Sequence, residues 1–372
     1  MAASPFSALA KAVAWKTVAA AIAVGRRVFV LLGQIQKVDT IIYKADRLGD
    51  WLLAGPTMER IVDAARARGG TVVIWAGRES AALRAWQPPH CPVETFELEP
   101  RGGLAKLRRA LAVARLLIIY EARTFVCLRH SPEPVRNFVI AHIRAAEIHA
   151  MSWLIAPRPQ RGLPHEIFRH YKILEGLGLA PEAGDELLPK LHGRRESRAG
   201  RAVLAPYSSA PIKDWLDEGW CAVGAELLAR GLHLELWVGP NQTDRALALA
   251  RKLAGGAEEA ARRVAVRSGS IDALVDAIAA ASVVLSADTF AAHLATALDV
   301  PMVCVLGGGQ YGDFAPWQRS SRQHWITHPL PCFNCDWRCS RSRVECLEDI
   351  SPTEVMKGME AVLRGEPQVS AI

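Results

Sequence analysis

Short apolar runs and longer amphipathic stretches alternate along this chain, which is the pattern of strands followed by helices. The run 38–43 has the length of a strand, a polar loop that contains Gly49 follows it, and residues 51–68 carry apolar side chains at helical spacing. This alternation predicts a parallel sheet covered by helices on both faces. It continues through predicted strands at 71–75, 93–98, 124–129 and 147–150 and predicted helices at 79–86, 104–117 and 134–144.

The alternation breaks between residues 179 and 200, where proline, glycine and charged residues predominate, as in an interdomain linker. It resumes with predicted strands at 202–205, 232–238, 264–266, 283–286 and 300–306 and predicted helices at 215–229, 245–253 and 290–298. We therefore expect two α/β domains with a segment on either side of them. The expected parts are a basic amphipathic segment at 1–37, a first domain at 38–190, a second domain at 200–350, and a C-terminal helix and tail at 351–372.

The N-terminal segment raises the question of a membrane anchor. Residues 8–32 are rich in alanine and valine but contain Lys11, Lys16, Arg26 and Arg27, so no window reaches the ~18 uncharged apolar residues of a transmembrane helix. The charges lie within and after the apolar part, which is not the order of a signal peptide. Two interpretations stay open, a helix on an anionic membrane surface and a helix packed on the first domain. We expect a cytoplasmic protein, either free or bound peripherally to the inner face of the cytoplasmic membrane.

The charge of the chain favours an anionic partner. The 372 residues are 50% hydrophobic and 22% charged, as in an ordinary globular protein, and their formal net charge is +7. A nucleotide-sugar or an acidic lipid surface fits this charge. Nucleic acid is not expected, because most of the basic residues are spread out and do not alternate with aromatic residues as they do on an RNA-binding sheet.

Residues 283–309 concentrate the candidate chemistry. An apolar run ends at Ser286, Asp288 and Thr289 supply the side chains of a helix N-cap, and His293 follows one turn into the predicted helix. The free N–H groups and the positive dipole end of that helix form an anion site, to which the imidazole of His293 adds donors. The alternative is that Asp288 only caps the helix and that His293 is a surface residue with its hydrogen bonds satisfied.

Three polar loops follow predicted strands, at 46–50, 207–213 and 287–293, where doubly wound sheets bind their ligands. They contain the motifs R-L-G-D-W-L-L-A-G-P, A-P-Y-S-S-A-P-I-K-D-W and S-A-D-T-F-A-A-H-L-A-T-A-L-D-V-P. In this order these motifs resemble the glycine-aspartate opening, the donor-side segment and the D-T-G-x-x-H signature of glycosyltransferase family 9, the heptosyltransferases of lipopolysaccharide assembly. The resemblance extends roughly over residues 38–363.

This resemblance implies an α/β protein with the GT-B fold, in which two Rossmann-like, doubly wound domains face each other across a cleft. It places the acceptor on the first domain and the nucleotide-sugar on the second. The implied reaction is the inverting transfer of a heptose from ADP-heptose to an anionic envelope glycolipid or glycan such as the lipopolysaccharide core, without a catalytic metal. The residues that match the family's motifs are Asp50 as general base, Arg47 and Gly49 on the acceptor side, and Ser208, Ser209, Lys213, Asp288, Thr289 and His293 for the donor.

Two departures from the family pattern leave the donor open. Phe290 stands where the signature usually has glycine, and no acidic residue follows the strand end at 240–242, where Asp244 is the nearest substitute. Another nucleotide-sugar, a protein hydroxyl as acceptor, a nucleotide-sugar epimerase and a non-catalytic nucleotide-sugar-binding module therefore stay open. A dinucleotide enzyme is disfavoured, although residues 307–312 match G-x-G-x-x-G, because Pro316 interrupts the helix that should follow.

Four of the eight cysteines lie close together, at Cys332, Cys335, Cys339 and Cys346. In a cytoplasmic protein such clustering favours metal ligation by thiolates over disulfides. The first pair forms C-x-x-C, but the next two spacings are not those of a standard zinc ribbon. Two interpretations stay open, a structural zinc or iron ion and a set of reduced thiols.

Overall fold

The computed structural model of the chain describes residues 5–85, 91–129, 133–151, 165–182, 187–191 and 200–368, with the side chains of 5–14, 81, 84 and 85 left out. The predicted linker at 179–200 lies partly outside these residues. The described residues form two compact units, one within 1–158 and 169–186 and the other within 159–168 and 187–372.

The first unit contains a five-stranded parallel sheet in the order β3-β2-β1-β4-β5. Its strands are β1 (Gln36–Lys44), β2 (Val72–Gly77), β3 (Val93–Phe96), β4 (Tyr120–Cys127) and β5 (Ala145–His149). Its helices are α1 (Pro5–Leu31), α2 (Leu48–Ala67), α3 (Gly103–Ile119) and α4 (Pro134–His142), and α5 (Glu166–Gly176) lies at the division between the units.

The second unit contains a six-stranded parallel sheet in the order β11-β10-β9-β6-β7-β8. Its strands are β6 (Arg201–Ala205), β7 (His233–Trp237), β8 (Val264–Arg267), β9 (Val283–Ala287), β10 (Met302–Val305) and β11 (Gln323–Ile326). Its helices are α6 (Asp217–Ala229), α7 (Thr243–Ala254), α8 (Glu258–Arg262), α9 (Ile271–Ala279), α10 (Phe290–Ala297), α11 (Glu345–Glu348) and α12 (Pro352–Arg364).

Both sheets reverse their strand order beside their first strand, between β1 and β4 in one unit and between β6 and β9 in the other. Ligands of doubly wound sheets bind at the carboxyl ends of the strands at such a point. The three loops that the sequence singles out follow β1, β6 and β9. The two sheets thus confirm the predicted α/β fold class and place the candidate loops at the edges where ligands are expected.

The N-terminal and C-terminal helices both pack on an α/β unit. Helix α1 buries Ile22 and places Gly25 against Ile118 of α3. Helix α12 buries Val355 and Met359 in the core of the second unit. The first unit therefore includes α1, and the second unit includes α12. The sequence pattern predicted these helices in separate segments, at 1–37 and 351–372. No helix in the described ranges is long and apolar enough to cross a membrane.

Several elements differ from their predicted form, and α5, α8, α9 and α11 were not predicted. Helix α2 begins at Leu48 rather than at residue 51, so Asp50 lies inside its first turn. The helix predicted at 79–86 is a 3-10 helix at Ser80–Ala85. Strand β11 was not predicted, because its short run Gln-His-Trp-Ile mixes polar and apolar residues and its pairing with β10 is a tertiary property.

Candidate functional site

An ion pair joins two of the candidate loops in the second unit. The Nζ atom of Lys213 lies 2.8 Å from Oδ2 of Asp288, and both side chains are mostly buried. Lys213 ends a 3-10 turn after β6, and Asp288 follows β9 directly. Because β6 and β9 are parallel neighbours, their carboxyl ends lie side by side. The structure therefore brings these two predicted donor-site residues together at the switch point of the sheet.

Two further residues surround the ammonium group of Lys213. It donates a hydrogen bond to Oε1 of Gln310 at 3.4 Å, and it lies 5.4 Å from the centroid of the Trp337 ring. Gln310 in turn donates to the Asp336 carboxylate at 2.9 Å. A carboxylate, an amide and an aromatic face thus hold one cation in a fixed position.

The glycine-rich turn after β10 is the packing surface for the cysteine loop at 332–346. A Cβ atom on Gly308 would lie 2.1 Å from Phe333, and one on Gly309 would lie 2.3 Å from Trp337. Asn334 N–H donates to the Gly308 carbonyl at 2.7 Å. These glycines allow the loop to approach the turn closely. The turn does not open an α-helix, so its match to a dinucleotide-binding motif has a packing explanation.

The four clustered cysteines line one small cavity with a volume of about 10 Å³. The backbone N–H of Gly308 donates to Sγ of Cys346 at 3.4 Å. Burial raises the pKa of the Cys346 thiol, and Cys332 and Cys335 add to the rise. In the part of the chain that the structure describes, no group of three or more His, Cys, Asp or Glu side chains has the geometry of a metal site.

Helix α10 begins as the sequence predicts. Thr289 is its N-cap, and its hydroxyl accepts a hydrogen bond from Ala291 N–H at 3.2 Å and pairs with the Ser286 hydroxyl at 2.9 Å. Phe290, at the position of the signature glycine, is the first residue of the helix and is half-buried. The cap therefore forms without the glycine.

His293 is a buried residue of α10 and not a surface residue. Its Nδ1 accepts a hydrogen bond from Trp317 Nε1–H at 2.8 Å, and its ring stacks on Trp317. Because the indole N–H only donates, the proton of the neutral imidazole is on Nε2. Burial lowers the pKa of His293 to about 4 against the opposing effect of Asp288. His293 is therefore a neutral side chain with one N–H donor at Nε2.

The loop after β6 is held by its own hydrogen bonds. The hydroxyl of Ser208 donates to the Ala210 carbonyl at 2.6 Å and accepts from Ala210 N–H at 3.0 Å, and Ser208 N–H donates to Asp214 at 2.7 Å. Gln242 donates to the Ser208 carbonyl at 2.6 Å. The neighbouring Ser209 is exposed. The Ser208 hydroxyl therefore shapes the loop that presents Lys213.

In the first unit, the loop after β1 contains a buried ion cluster. The Asp46 carboxylate lies 2.9 Å from Nζ of Lys44 and 3.5 Å from Nε of Arg129. Arg129 also donates to the Ala45 carbonyl. Burial alone would lower the pKa of Arg129, but the carboxylates of Asp46, Glu133 and Asp50 hold this pKa above its ordinary value. Asp46 is thus neutralised by two cations at the switch point of the first sheet.

The predicted acceptor-side residues lie beside this cluster in the chain. Asp50 is the third residue of α2 and is half-buried, and Gly49 precedes it in the same turn. A carboxylate in the first turn of a helix is stabilised by the helix dipole. Arg47 is the N-cap residue, and its exposed guanidinium pairs with Glu99 at 2.8 Å.

Several residues of these sites were not singled out from the sequence. Trp317, Gln310 and Trp337 reach Lys213 or His293 from segments far along the chain. Gln242 lies in a polar loop after a predicted strand, whereas Arg129 falls within the strand predicted at 124–129. The sequence does contain a signal for Trp337, because this tryptophan lies among the clustered cysteines. The cysteine loop comes soon after the glycine turn in the chain, and Trp337 packs against that turn.

Solved structures share this architecture. An E. coli heptosyltransferase WaaC with ADP-2-deoxy-2-fluoro heptose is 18% identical, and the match covers 87% of this chain and 99% of that chain with a TM-score of 0.63. An E. coli ADP-heptose lps heptosyltransferase II is 15% identical over 88% and 98%, with a TM-score of 0.62. The iron-containing dodecameric glycosyltransferase TibC from enterotoxigenic E. coli H10407 is 15% identical over 89% and 77%, with a TM-score of 0.54. These similarities show the fold, which is GT-B.

The sequence of the second unit also matches a known family. The family model for glycosyltransferase family 9 (heptosyltransferase) matches residues 179–340, so this part of the chain is similar to that family. The match includes Lys213, Asp288 and His293 and confirms the resemblance that the motifs predict. No curated protein matches the sequence.

The buried neutral His293 predicts a pH dependence of stability. Its pKa is about 4 in the folded protein and about 6.5 when exposed, so the unfolded chain binds a proton that the folded chain does not. Its contribution is complete above pH 6.5 and is lost as the pH falls toward 4, by up to about 3 kcal/mol in the free energy of unfolding. Urea unfolding at a series of pH values measures this loss.

A matched pair of variants assigns the effect to His293. The slope of stability against pH between 6.5 and 4 should decrease in His293→Gln and should stay as in the wild type in His233→Gln, because His233 is exposed on β7. An unchanged slope in His293→Gln would show that His293 titrates normally.

Proposed function

We propose that this protein is an inverting heptosyltransferase that transfers heptose from ADP-heptose to an anionic envelope glycolipid or glycan such as the lipopolysaccharide core. The observation that carries the proposal is the Lys213–Asp288 pair at the switch point of the sheet in the family 9 part of the chain. A fixed ammonium group at that edge suits a diphosphate. The ligands named for the similar E. coli enzyme, which include ADP and a fluorinated ADP-heptose, support the choice of donor.

The second unit binds the donor in this proposal. Lys213 neutralises the diphosphate, and the N–H groups at the start of α10 add donors near Thr289. The Nε2–H of His293 is a further donor that stays neutral at physiological pH. Asp288 keeps the ammonium of Lys213 in place until the diphosphate arrives.

The first unit supplies the base. The acceptor hydroxyl attacks the anomeric carbon from the face opposite the diphosphate, the new C–O bond forms as the bond to the diphosphate breaks, and the hydroxyl proton passes to Asp50. Asp50 suits this role better than Asp46, because Asp46 is buried and its two carboxylate oxygens are paired with Lys44 and Arg129. Arg47 and Gly49 belong to the same acceptor-side turn.

The base assignment predicts a different effect for each carboxylate, a loss of turnover at Asp50 and a loss of stability at Asp46. Asp50→Asn should lower kcat about 10²- to 10⁴-fold, while donor affinity and melting temperature stay near those of the wild type, since the amide cannot accept the proton. Asp46→Asn should mainly lower stability, by about 3–5 kcal/mol, because Lys44 and Arg129 lose their counter-charge. Steady-state kinetics and thermal unfolding of both variants measure these effects. Near-full turnover in Asp50→Asn, with loss of turnover in a folded Asp46→Asn, would move the base to Asp46.

The donor site predicts a loss of affinity without Lys213. Lys213→Met keeps most of the length of the side chain but removes its charge, so donor binding should weaken by about 1.5–3 kcal/mol, which is about 10- to 150-fold in Kd. Isothermal titration calorimetry with ADP-heptose measures this. Lys357→Met, at an exposed lysine on α12, is the matched control and should bind like the wild type. Equal donor affinity in the two variants would remove Lys213 from the site.

A donor and activity screen tests the whole proposal. A specific nucleotide-sugar raises the melting temperature by mass action, so ADP-, GDP- and UDP-sugars compared at equal concentration identify the nucleotide. Incubation of the best donor with a lipopolysaccharide-core acceptor or a protein acceptor then separates the outcomes. Net transfer to the glycolipid supports the proposal, whereas transfer to protein, isomerised donor, or binding without turnover would each replace it.

We also propose a place of action for this enzyme. An acceptor that is a glycolipid is presented at a membrane surface, and the formal net charge of +7 favours an anionic leaflet. Peripheral binding to the inner face of the cytoplasmic membrane would bring the first unit to its acceptor.

We propose further that Cys332, Cys335, Cys339 and Cys346 hold one structural zinc or iron ion, outside the transfer reaction. Their cavity has room for about one water-sized particle, and the N–H donor from Gly308 to Cys346 would stabilise a thiolate. The similar structure TibC contains iron, which makes iron the first candidate. A bound ion would draw the thiols together and hold Trp337 against the glycine turn.

The metal proposal predicts about one zinc or iron ion per chain. Cys335→Ser should lower both the metal content and the melting temperature, since the ion binds only the folded loop. Elemental analysis and thermal unfolding measure the two effects. Cys221→Ser, at a half-buried cysteine of α6, is the control and should keep the metal. Metal-free protein of normal stability would rule the site out.

A further inference from the structure

Helices α1 and α3 pack side by side, and Arg26 joins them. Its buried guanidinium donates to the carbonyl oxygens of Leu117 at 3.0 Å and Tyr120 at 2.9 Å, and it pairs with Glu121 at 2.7 Å. These carbonyls lie at the C-terminal end of α3, where helices leave their last acceptors without partners. Arg26 therefore fixes α1 with one face toward the first unit and the opposite face outward.

The outward faces of both helices are apolar. Val24, Val28 and Leu31 on α1 are between 46% and 86% exposed. Three of the five leucines on α3 are exposed and follow one another at helical spacing, so they form one stripe. Of the thirteen large apolar side chains exposed in the described part of the chain, eight lie within 24–32 and 104–111. Such a concentration marks an interaction surface and not the scattered exposure of an ordinary helix. The leucines of the stripe are Leu104, Leu107 and Leu111.

The charge on these helices has one sign. Neither the sequence of α1 nor that of α3 contains an aspartate or a glutamate. Their exposed faces carry basic side chains instead, which flank the apolar stripe. An apolar stripe between basic residues is typical of helices that lie in the interface of an anionic bilayer. The exposed basic residues are Lys16, Arg27, Lys106, Arg108 and Arg115.

We infer that the outward faces of α1 and α3 form one surface that docks on an anionic lipid bilayer. The leucines of α3 and the valines of α1 enter the boundary of the acyl chains, and the basic side chains contact the phosphate groups. A second copy of the chain suits this surface less well, because a symmetric pair would bring the same cations against each other. The inference rests on the proposed function, since a glycolipid acceptor lies in such a bilayer.

Point substitutions test this surface better than a deletion, because removal of α1 would also remove the Arg26 contacts of α3. Co-sedimentation compares vesicles of phosphatidylcholine alone with vesicles that contain phosphatidylglycerol. The wild type should bind the anionic vesicles. The triple variant Leu104→Gln, Leu107→Gln, Leu111→Gln should bind at least 10-fold more weakly. The double variant Lys106→Gln, Arg108→Gln should bind about 10- to 30-fold more weakly.

The second unit offers a matched control. Leu216, Leu247 and Leu363 are also exposed, at 40% to 50%, and lie outside the proposed surface. Their triple glutamine variant should bind vesicles within about twofold of the wild type. Equal loss in the two triple variants would overturn the inference, as would a wild type that does not bind anionic vesicles. A dimer in sedimentation equilibrium that only the α3 variant dissociates would assign the surface to a second copy and would also overturn it.

Transfer to a short water-soluble acceptor separates this inference from the proposed function. The α3 variants should keep the wild-type kcat on the soluble acceptor and lose rate only on acceptor in vesicles. Vesicle binding by a wild type that transfers nothing would leave the docking surface intact and refute the function. Transfer without specific vesicle binding would support the function and refute the docking surface.

Discussion

The parallel pairing of β6 with β9 is the constraint on which the site of the second unit depends. Their register places Ala205 opposite Ser286, so the loops that follow leave the same edge of the sheet. Lys213 and Asp288, which are 75 residues apart in the chain, meet there at 2.8 Å. The pair is mostly buried, so its geometry is held more firmly than that of a surface ion pair. The edge of the sheet therefore holds the ammonium group of Lys213 in one orientation.

The cysteine loop also contacts the Lys213–Asp288 pair, through Trp337. The glycines after β10 let Phe333 and Trp337 approach the turn more closely than any side chain would permit. Trp337 in turn faces the ammonium of Lys213. The Trp337 ring therefore contacts both the glycine turn and the ammonium group of Lys213, so the conformation of the cysteine loop affects the position of this ammonium group. An ion held by the cysteines would stabilise the donor site without taking part in transfer.

Charge is distributed differently in the two parts of the first unit. Inside, Asp46 is paired with Lys44 and Arg129, because an unpaired buried charge is strongly destabilising. On the surface formed by α1 and α3, basic side chains flank exposed leucines, and neither helix has an acidic residue. One set of charges therefore shapes the loop after β1, and the other suits an external anionic surface.

Local patterns in the sequence determined the alternating strands and helices, the Thr289 cap and the loops after β1, β6 and β9, because periodicity and capping depend on residues a few positions apart. They also indicated a resemblance to family 9 and singled out Lys213 and Asp288, which the structure brings together as an ion pair. Only the tertiary structure decided that Trp317 sets the tautomer of His293, that Arg26 joins α1 to α3, and that the glycine turn receives the cysteine loop. Each of these contacts joins segments at least 24 residues apart, and no local periodicity records which distant side chain will fill a given space.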